Sequence, residues 1–466
     1  MSASHFVKVR LSFALALLFT AGLSAQTPVH KTTPAPVHKK VAPAKKKVQH
    51  HVKHHKKVMK NGNSVERRSN GHISDVHDEQ RHMDVHHGLN GDRRVSVMRA
   101  DHSRIVAERG RGGYIERPYA FHGHDYYRRS YFYHGHLYNR FYRGFYFHGI
   151  ELHVYAPYRY YPIGFYGWAY HPWHVHVVYA WGWGGSPWYG YYGHYFAPYP
   201  EYVSASAWLT DYMISNDLQA DYAARQDAGT LDSGPAPELA ADTPPALTPE
   251  VKDLIAQEVQ YDIELENGEA ALDAANQEVD PASSGLARML ADGQSHIFVV
   301  GSPLDVEDEN TQEDCPLSDG DVLQTTDPPG PDDKTASLIV LASKGNKECA
   351  KAATVTVDLD DLQEMQNHMR ETIDQGMDEL QQKQGKDGIP ALPPSANAPP
   401  TTTAFAKLAP PPDPDAAGVI DQQQKEADTS EKEITAQEAQ EDPATPAPPP
   451  DAGQQPPAPI VRTTPQ

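Results

Sequence analysis

FHGHDYYRRSYFYHGHLYNRFYRGFYFHGIELHVY, residues 121–155, is the stretch on which the reading of the chain turns. His-Gly pairs recur at 122, 134 and 148, and aromatic residues alternate with polar ones in Tyr131–Leu137 and Phe145–Tyr155. Alternation sends successive side chains to opposite faces of a strand, and a Gly-containing pair between two such runs marks a hairpin turn or bulge. Short β-hairpins are therefore expected here. Downstream, HPWHVHVVYAWGWGGSPWYGYYGHYFAPYP (171–200) is richer in Gly and Pro and reads as irregular aromatic loop. Trp208, Tyr212 and Leu218 then recur at helical spacing, which predicts a short amphipathic helix over Ala205–Ala224.

These pieces belong to a segment, 113–212, that holds 23 of the 25 tyrosines and all six tryptophans. The chain before it is different. Residues 26–60 are a Lys/His/Pro/Ala tract with almost nothing to bury, and 61–112 stays polar and Arg/His-rich with brief apolar snatches such as Val95–Met98. Such composition cannot offset the ordering entropy, so 26–112 is expected to be a basic disordered region. A linker is assigned to 213–247, Pro/Ala/Asp-rich from 225 onward. The tail, 386–466, is Pro/Ala/Gln-rich without periodicity and reads as disordered.

Residues 248–385 are the candidate for an ordinary fold. Thr248-Pro249-Glu250 places an N-cap, a first-turn proline and an acidic residue in helix-start order. Val251, Leu254, Ile255, Val259 and Ile263 follow as one apolar stripe. A short helix over Ser284–Ala291 and a longer one over Leu359–Gln382 are predicted. Between them, His296–Val300, Asp321–Thr325, Ala336–Ser343 and Ala353–Val357 read as strands, with Leu304–Val306 as a fifth. The fold class expected is thus a largely disordered, low-complexity chain with one small α+β domain, a short antiparallel sheet or partly closed barrel flanked by helices.

Charge divides the chain more sharply than its net of −21 suggests. Residues 1–200 carry 27 Lys+Arg against 11 Asp+Glu, a net of +16, and the remainder carries 14 against 51, a net of −37. The basic half is expected to associate with polyanions, surfaces or other copies of itself. At the start, Lys8 and Arg10, the apolar Leu11–Leu18 and the small Gly22, Ser24 and Ala25 have the order of a cleaved export signal over 1–25. No cysteine lies near the cut and no later stretch has transmembrane length, so the expected product is exported to the periplasm, envelope or exterior, and peripheral to membranes rather than integral.

Export bears on the only cysteines, Cys315 and Cys349, which should pair in an oxidising compartment. It also lowers nucleic acid as the main partner relative to cell-wall or extracellular polysaccharide. Histidine is the richest chemical hint, with 23 of 25 before residue 195. His122/His124, His134/His136 and His174/His176 each form a His-x-His triplet that could offer two imidazoles from one face of a strand to Zn²⁺, Ni²⁺ or Cu²⁺. A third fixed ligand and HExxH are missing, so the expectation is weak metal binding at most and no resident cofactor. Enzyme signatures are absent too: Gly184-Gly185-Ser186-Pro187 is no nucleophile elbow, and the Leu317–Leu323 carboxylates read as turn residues.

The pieces YAWGWGGSPWYGYYGHYFAPYP and ASAWLTDY and the Leu317–Leu323 turn together resemble uncharacterised exported proteins of Gram-negative soil bacteria, which join a Tyr/Trp/Gly-rich segment to a small C-terminal domain. That resemblance implies the compartment and no activity. The expectation is a non-enzymatic envelope or extracellular protein, with a metal-buffering protein as the alternative.

Overall fold

Turns with positive φ set the frame of the first half. Gly62, His82, His102 and His122 adopt it at twenty-residue intervals, and Gly71, Gly91 and Gly110 do so at the opposite ends of the intervening strands. In the computed structural model, which describes residues 54–133, 136–231, 245–345 and 347–441, these turns connect a ten-stranded antiparallel meander. Its strands are β1 (His55–Val58), β2 (Ser64–Arg67), β3 (Ile73–Asp78), β4 (Met83–His87), β5 (Arg93–Met98), β6 (Arg104–Glu108), β7 (Gly112–Phe121), β8 (His124–Tyr133), β9 (His136–Phe147) and β10 (Ile150–Tyr155). Each pairs with its neighbours in sequence order. His122-Gly123 and His148-Gly149 are two-residue turns with φ of 50° and 85°, and 49° and 77°. Positive φ at both positions is the type I′ geometry that suits a hairpin's twist.

The register explains why so few apolar residues suffice. Val65, Val76, Val85, Val95 and Ala107 stand opposite one another strand by strand, forming one apolar row across five strands. A parallel row runs Met83, Val97, Ile105, Ile115. Helix α8 (Ala416–Glu441) covers this face with Ala416, Ile420, Ala427 and Ile434. The expectation of a largely disordered chain with one small domain is therefore overturned. The polar stretch 61–112 is sheet, and part of the tail is the helix that covers it. Disorder expected over 26–53 and 442–466, and the signal over 1–25, lie outside the described residues.

The aromatic segment continues the sheet and then builds a helical core. After β11 (Arg159–Tyr160) comes helix α1 (Ile163–Tyr170), and helix α2 (Pro187–Tyr192) lies in the stretch expected to be irregular. Helix α3 (Ala205–Ala228) runs sixteen residues into the assigned linker before Gly229 ends it at φ 69°. Helix α4 (Pro249–Ala274) begins at the Thr248 cap, whose side chain accepts from Val251 N. Phe165, Tyr166, Trp188, Tyr195, Phe196, Tyr202 and Trp208 pack with Ile255, Val259, Met369 and Ile373 in one core. About half of the aromatic side chains of 113–212 are buried in the folded structure.

The second sheet is close to the sequence expectation. Short α5 (Leu286–Ala291) precedes β12 (Ile297–Val299), β13 (Leu304–Asp308), β14 (Asp314–Leu317), β15 (Val322–Thr325), β16 (Thr335–Ala342) and β17 (Thr354–Asp358), in spatial order β12-β15-β16-β17-β13-β14. Helix α6 (Leu359–Lys383) follows, with Leu362, Met365, Met369, Ile373, Met377 and Leu380 inward. The strand missed is β14, and it carries Cys315. Cys315 is disulfide-bonded to Cys349 across a sequence separation of 34. The tail returns as β18 (Thr401–Thr402), paired with β11, and α7 (Ala404–Leu408), whose Phe405 sits among Phe121, Tyr126 and Phe141.

The two charge halves meet within the chain. Arg67 pairs with Glu438, Arg68 with Asp305, Arg93 with Asp428 and Glu431, Arg117 with Asp413, Arg129 with Glu364, and Arg111 with Asp319. Every one of these joins a residue before 130 to one after 300. Six arginines of the basic half thus find acidic partners within the chain.

Candidate functional site

Helix α6 has a second stripe, opposite its apolar one. Asp374, Gln375, Asp378, Glu379, Gln382 and Lys383 recur at the i, i+1, i+4, i+5 spacing that keeps side chains on one helical face. They line a groove of about 420 Å³, completed by Tyr212 of α3, Tyr158 and Arg159 before and on β11, and Arg140 of β9. Gly376 explains how α3 comes so close. A Cβ there would lie 2.4 Å from Leu209 Cδ2 and 3.0 Å from Tyr212 Cδ1, so only glycine admits the contact that brings Tyr212 to the rim.

Tyr212 is fixed from behind. Its ring stacks on Trp208 at 5.3 Å and 18°, Trp208 stacks on Trp181 at 5.1 Å and 23°, and Trp181 stacks on Trp183 at 5.5 Å and 22°. Trp208 is fully buried, so this ladder holds Tyr212 with one face committed. Offset stacking of this kind adds about 0.5–1.5 kcal/mol per pair beyond area burial. Lys383 Nζ donates to Tyr179 Oη at 2.5 Å, and Tyr179 meets Trp208 edge-on.

The charges of the groove balance. Arg159 pairs with Asp378 at 2.9 Å and Lys383 with Glu379 at 2.9 Å, while Arg140 Nε lies 3.6 Å from Glu371. Burial raises the pKa of Asp374 above the ordinary carboxylate range, with Arg140 and Arg159 opposing it, and its Oδ2 accepts from Tyr155 Oη at 3.1 Å. Burial disfavours the charge on Lys383, but its bonds to Tyr179 and Glu379 outweigh that and raise its pKa. Three cationic and three acidic side chains thus face a space walled by two tyrosines, with two amides at the rim. Such a surface supplies flat apolar faces with polar groups able to donate and accept. It supplies no net charge.

The histidines anticipated as metal ligands are dispersed. His122 Nδ1 and His124 Nε2 both contact the Glu278 carboxylate, at 2.6 and 3.1 Å, on the exposed β7–β8 turn. His136 opens β9 opposite Tyr133, at the far end of β8, about 30 Å away at strand rise. His134 lies outside the described residues. His174 and His176 are exposed in the loop before α2, and His176 pairs with Glu201 at 2.9 Å. Among the described residues, the one group of three such side chains with ligand atoms within 4.8 Å of one another is Asp358, Asp360 and Asp361, and it contains no histidine. Acidic residues gather at a helix start in any case, favoured by the helix dipole.

Sequence reasoning found the apolar stripe of α6 and stopped there. The polar stripe repeats at the same period, and that repetition of carboxylate, amide and lysine was the available signal. Arg140, Tyr158 and Arg159 reach the groove from the sheet and carried no local signal. The Leu317–Leu323 carboxylates are turn and ion-pair residues: Asp321 Oδ2 accepts from Ser318 N at 2.9 Å, and Asp319 binds Arg111. Comparison with family models, curated proteins and solved structures finds no match to this chain. Among the described residues no helix is long and apolar enough to cross a membrane.

Proposed function

We propose that this is an exported, non-catalytic glycan-binding protein of the cell envelope or extracellular space, and that the groove along α6 takes a neutral oligosaccharide. The observation that carries the reading is the pairing of Tyr158 and Tyr212 with a charge-balanced set of carboxylates, amides and cations on one 420 Å³ groove. Sugar rings offer apolar faces that stack on aromatic rings and hydroxyls that both donate and accept. Export is supported by the Lys8–Ala25 pattern and by the Cys315–Cys349 disulfide, which suits an oxidising compartment. The internal pairing of Arg67, Arg93, Arg117 and Arg129 argues for a neutral ligand over a polyanion.

Titration calorimetry of the full mature chain with cellotetraose and chitotetraose, beside heparin as an anionic comparator, tests this. Saturable binding of a neutral tetrasaccharide is expected, weakened about tenfold in Tyr212→Ala, the equivalent of ~1.4 kcal/mol. Binding of heparin alone, unaffected by Tyr212→Ala, would reject the assignment.

A further inference from the structure

The groove leaves one large element without a role. Helix α8 is 26 residues long yet buries only four apolar side chains, two of them alanine, against the sheet. The sheet presents far more: Met59, Val65, Val76, Met83, Val85, Val95, Val97, Ile105 and Ile115 all lie in that interface. What α8 lacks in apolar contact it makes up in charge. Arg67 Nη2 meets Glu438 at 2.6 Å, Arg93 meets Asp428 and Glu431 at 3.1 and 3.2 Å, His87 meets Glu431 at 2.9 Å, and Arg81 reaches Glu433 at 3.2 Å. Lys57 Nζ also donates to the Glu438 carbonyl at 2.9 Å. Two of these carboxylates are open to solvent, with Asp428 53% and Glu433 58% exposed, while Glu431 and Glu438 are more covered.

Pro410, Pro411, Pro412 and Pro414 separate α8 from α7, and proline at this density holds an extended segment rather than a helical continuation. That segment is itself clamped by Arg117 on Asp413 and by Arg128 on the Pro410 carbonyl. Elements with few apolar contacts and many water-facing polar ones open below the global unfolding limit.

We infer that α8 is an ion-latched strap that detaches from the intact sheet as ionic strength rises, uncovering the Val65–Val76–Val85–Val95 face. Screening is the lever, because the Debye length falls from about 10 Å at 0.1 M salt to about 3 Å at 1 M. With the strap in place each of these nine side chains is 6% exposed or less, so opening turns a closed surface into an adhesive one.

Hydrogen exchange on the full mature chain, read by mass spectrometry at 50 mM and 1 M NaCl, decides the matter. Peptides covering 416–441 are expected to exchange at least tenfold faster at 1 M, while peptides from β7 to β9 keep their rates. Glu431→Gln with Glu438→Gln should reproduce the high-salt pattern at 50 mM. Exchange of 416–441 that is unchanged by salt and by the double substitution, or that tracks the β7–β9 strands, would overturn the proposal and make α8 a fixed part of the core.

Discussion

Arg129 shows at the smallest scale how the two charge halves are joined. Its side chain is 2% exposed, Nε donates to Glu116 at 2.6 Å, both terminal nitrogens grip Glu364 at 2.6 and 2.7 Å, and the guanidinium lies 4.1 Å from the Tyr142 ring centroid. Burial alone would raise Glu116, but Arg129 and His153 outweigh it and hold the carboxyl well below the usual range. Arg129→Met would strand a buried carboxylate, and chemical denaturation should show a loss of about 3–5 kcal/mol. Arg129→Lys keeps the charge but not the fork and should recover only part of it. None of this was legible locally, since Glu364 is 235 residues away. The Cys315–Cys349 pair was legible, because the sequence holds only two cysteines and each has one partner to take. Reducing it should lower stability by about 3–4 kcal/mol for a loop of this size.

At the scale of elements, periodicity carried the reading wherever it was long enough. Helices α4 and α6 and five of the six strands of the second sheet were visible as stripes and short apolar runs. The first sheet was not, although its signal was present. Asn61-Gly62, Asn70-Gly71 and Asn90-Gly91 are strong hairpin turns, and Val65, Val85 and Ile105 repeat every twenty residues between them. Strands β1 to β6 offer only one to three apolar side chains each, so composition pointed to disorder while the repeat pointed to a sheet. The α3–α6 contact gives a direct test. Gly376→Ala would improve helix propensity by about 1 kcal/mol, but its Cβ overlaps Leu209 and Tyr212. Overpacking of about 1–3 kcal/mol should win. A lowered melting temperature with weaker oligosaccharide binding is expected, and an unchanged affinity would mean that Tyr212 is not positioned by this contact.

For the whole molecule, the buried charges fix the direction of pH dependence. Burial and neighbouring carboxylates raise Asp262 and Glu266, and burial with Asp360 beside it pushes Asp361 up to about 7. These groups stay protonated in the folded chain after the unfolded chain has released its protons, so stability falls as pH rises from about 4 through about 8. Burial works against charge on His368, but Asp217 at 2.7 Å raises it to about 9. Its contribution is complete below about pH 6.5 and is lost as pH rises through 9. Glu269, Glu364 and Glu431 are lowered despite burial, each by an arginine or histidine partner, and their contribution disappears below about pH 4. Scanning calorimetry should therefore find the highest melting temperature near about pH 4–5, where the two sets of carboxylates cross over, and a fall of several degrees by pH 9. A maximum at pH 8–9 would contradict this assignment of charges.

The central claim is that the basic, polar stretch 54–112 is a folded sheet, tied by Arg67, Arg68, Arg81, Arg93 and Arg111 to the acidic half of its own chain. Limited trypsin digestion of the full chain, followed by intact mass, addresses it directly, because Arg67, Arg68, Arg81, Arg93, Arg94, Arg99, Arg104, Arg109 and Arg111 all lie there. The structure predicts a resistant product that retains 61–112 together with the second sheet after cleavage elsewhere. Early cleavage at several of these arginines, at low salt and neutral pH, would contradict it.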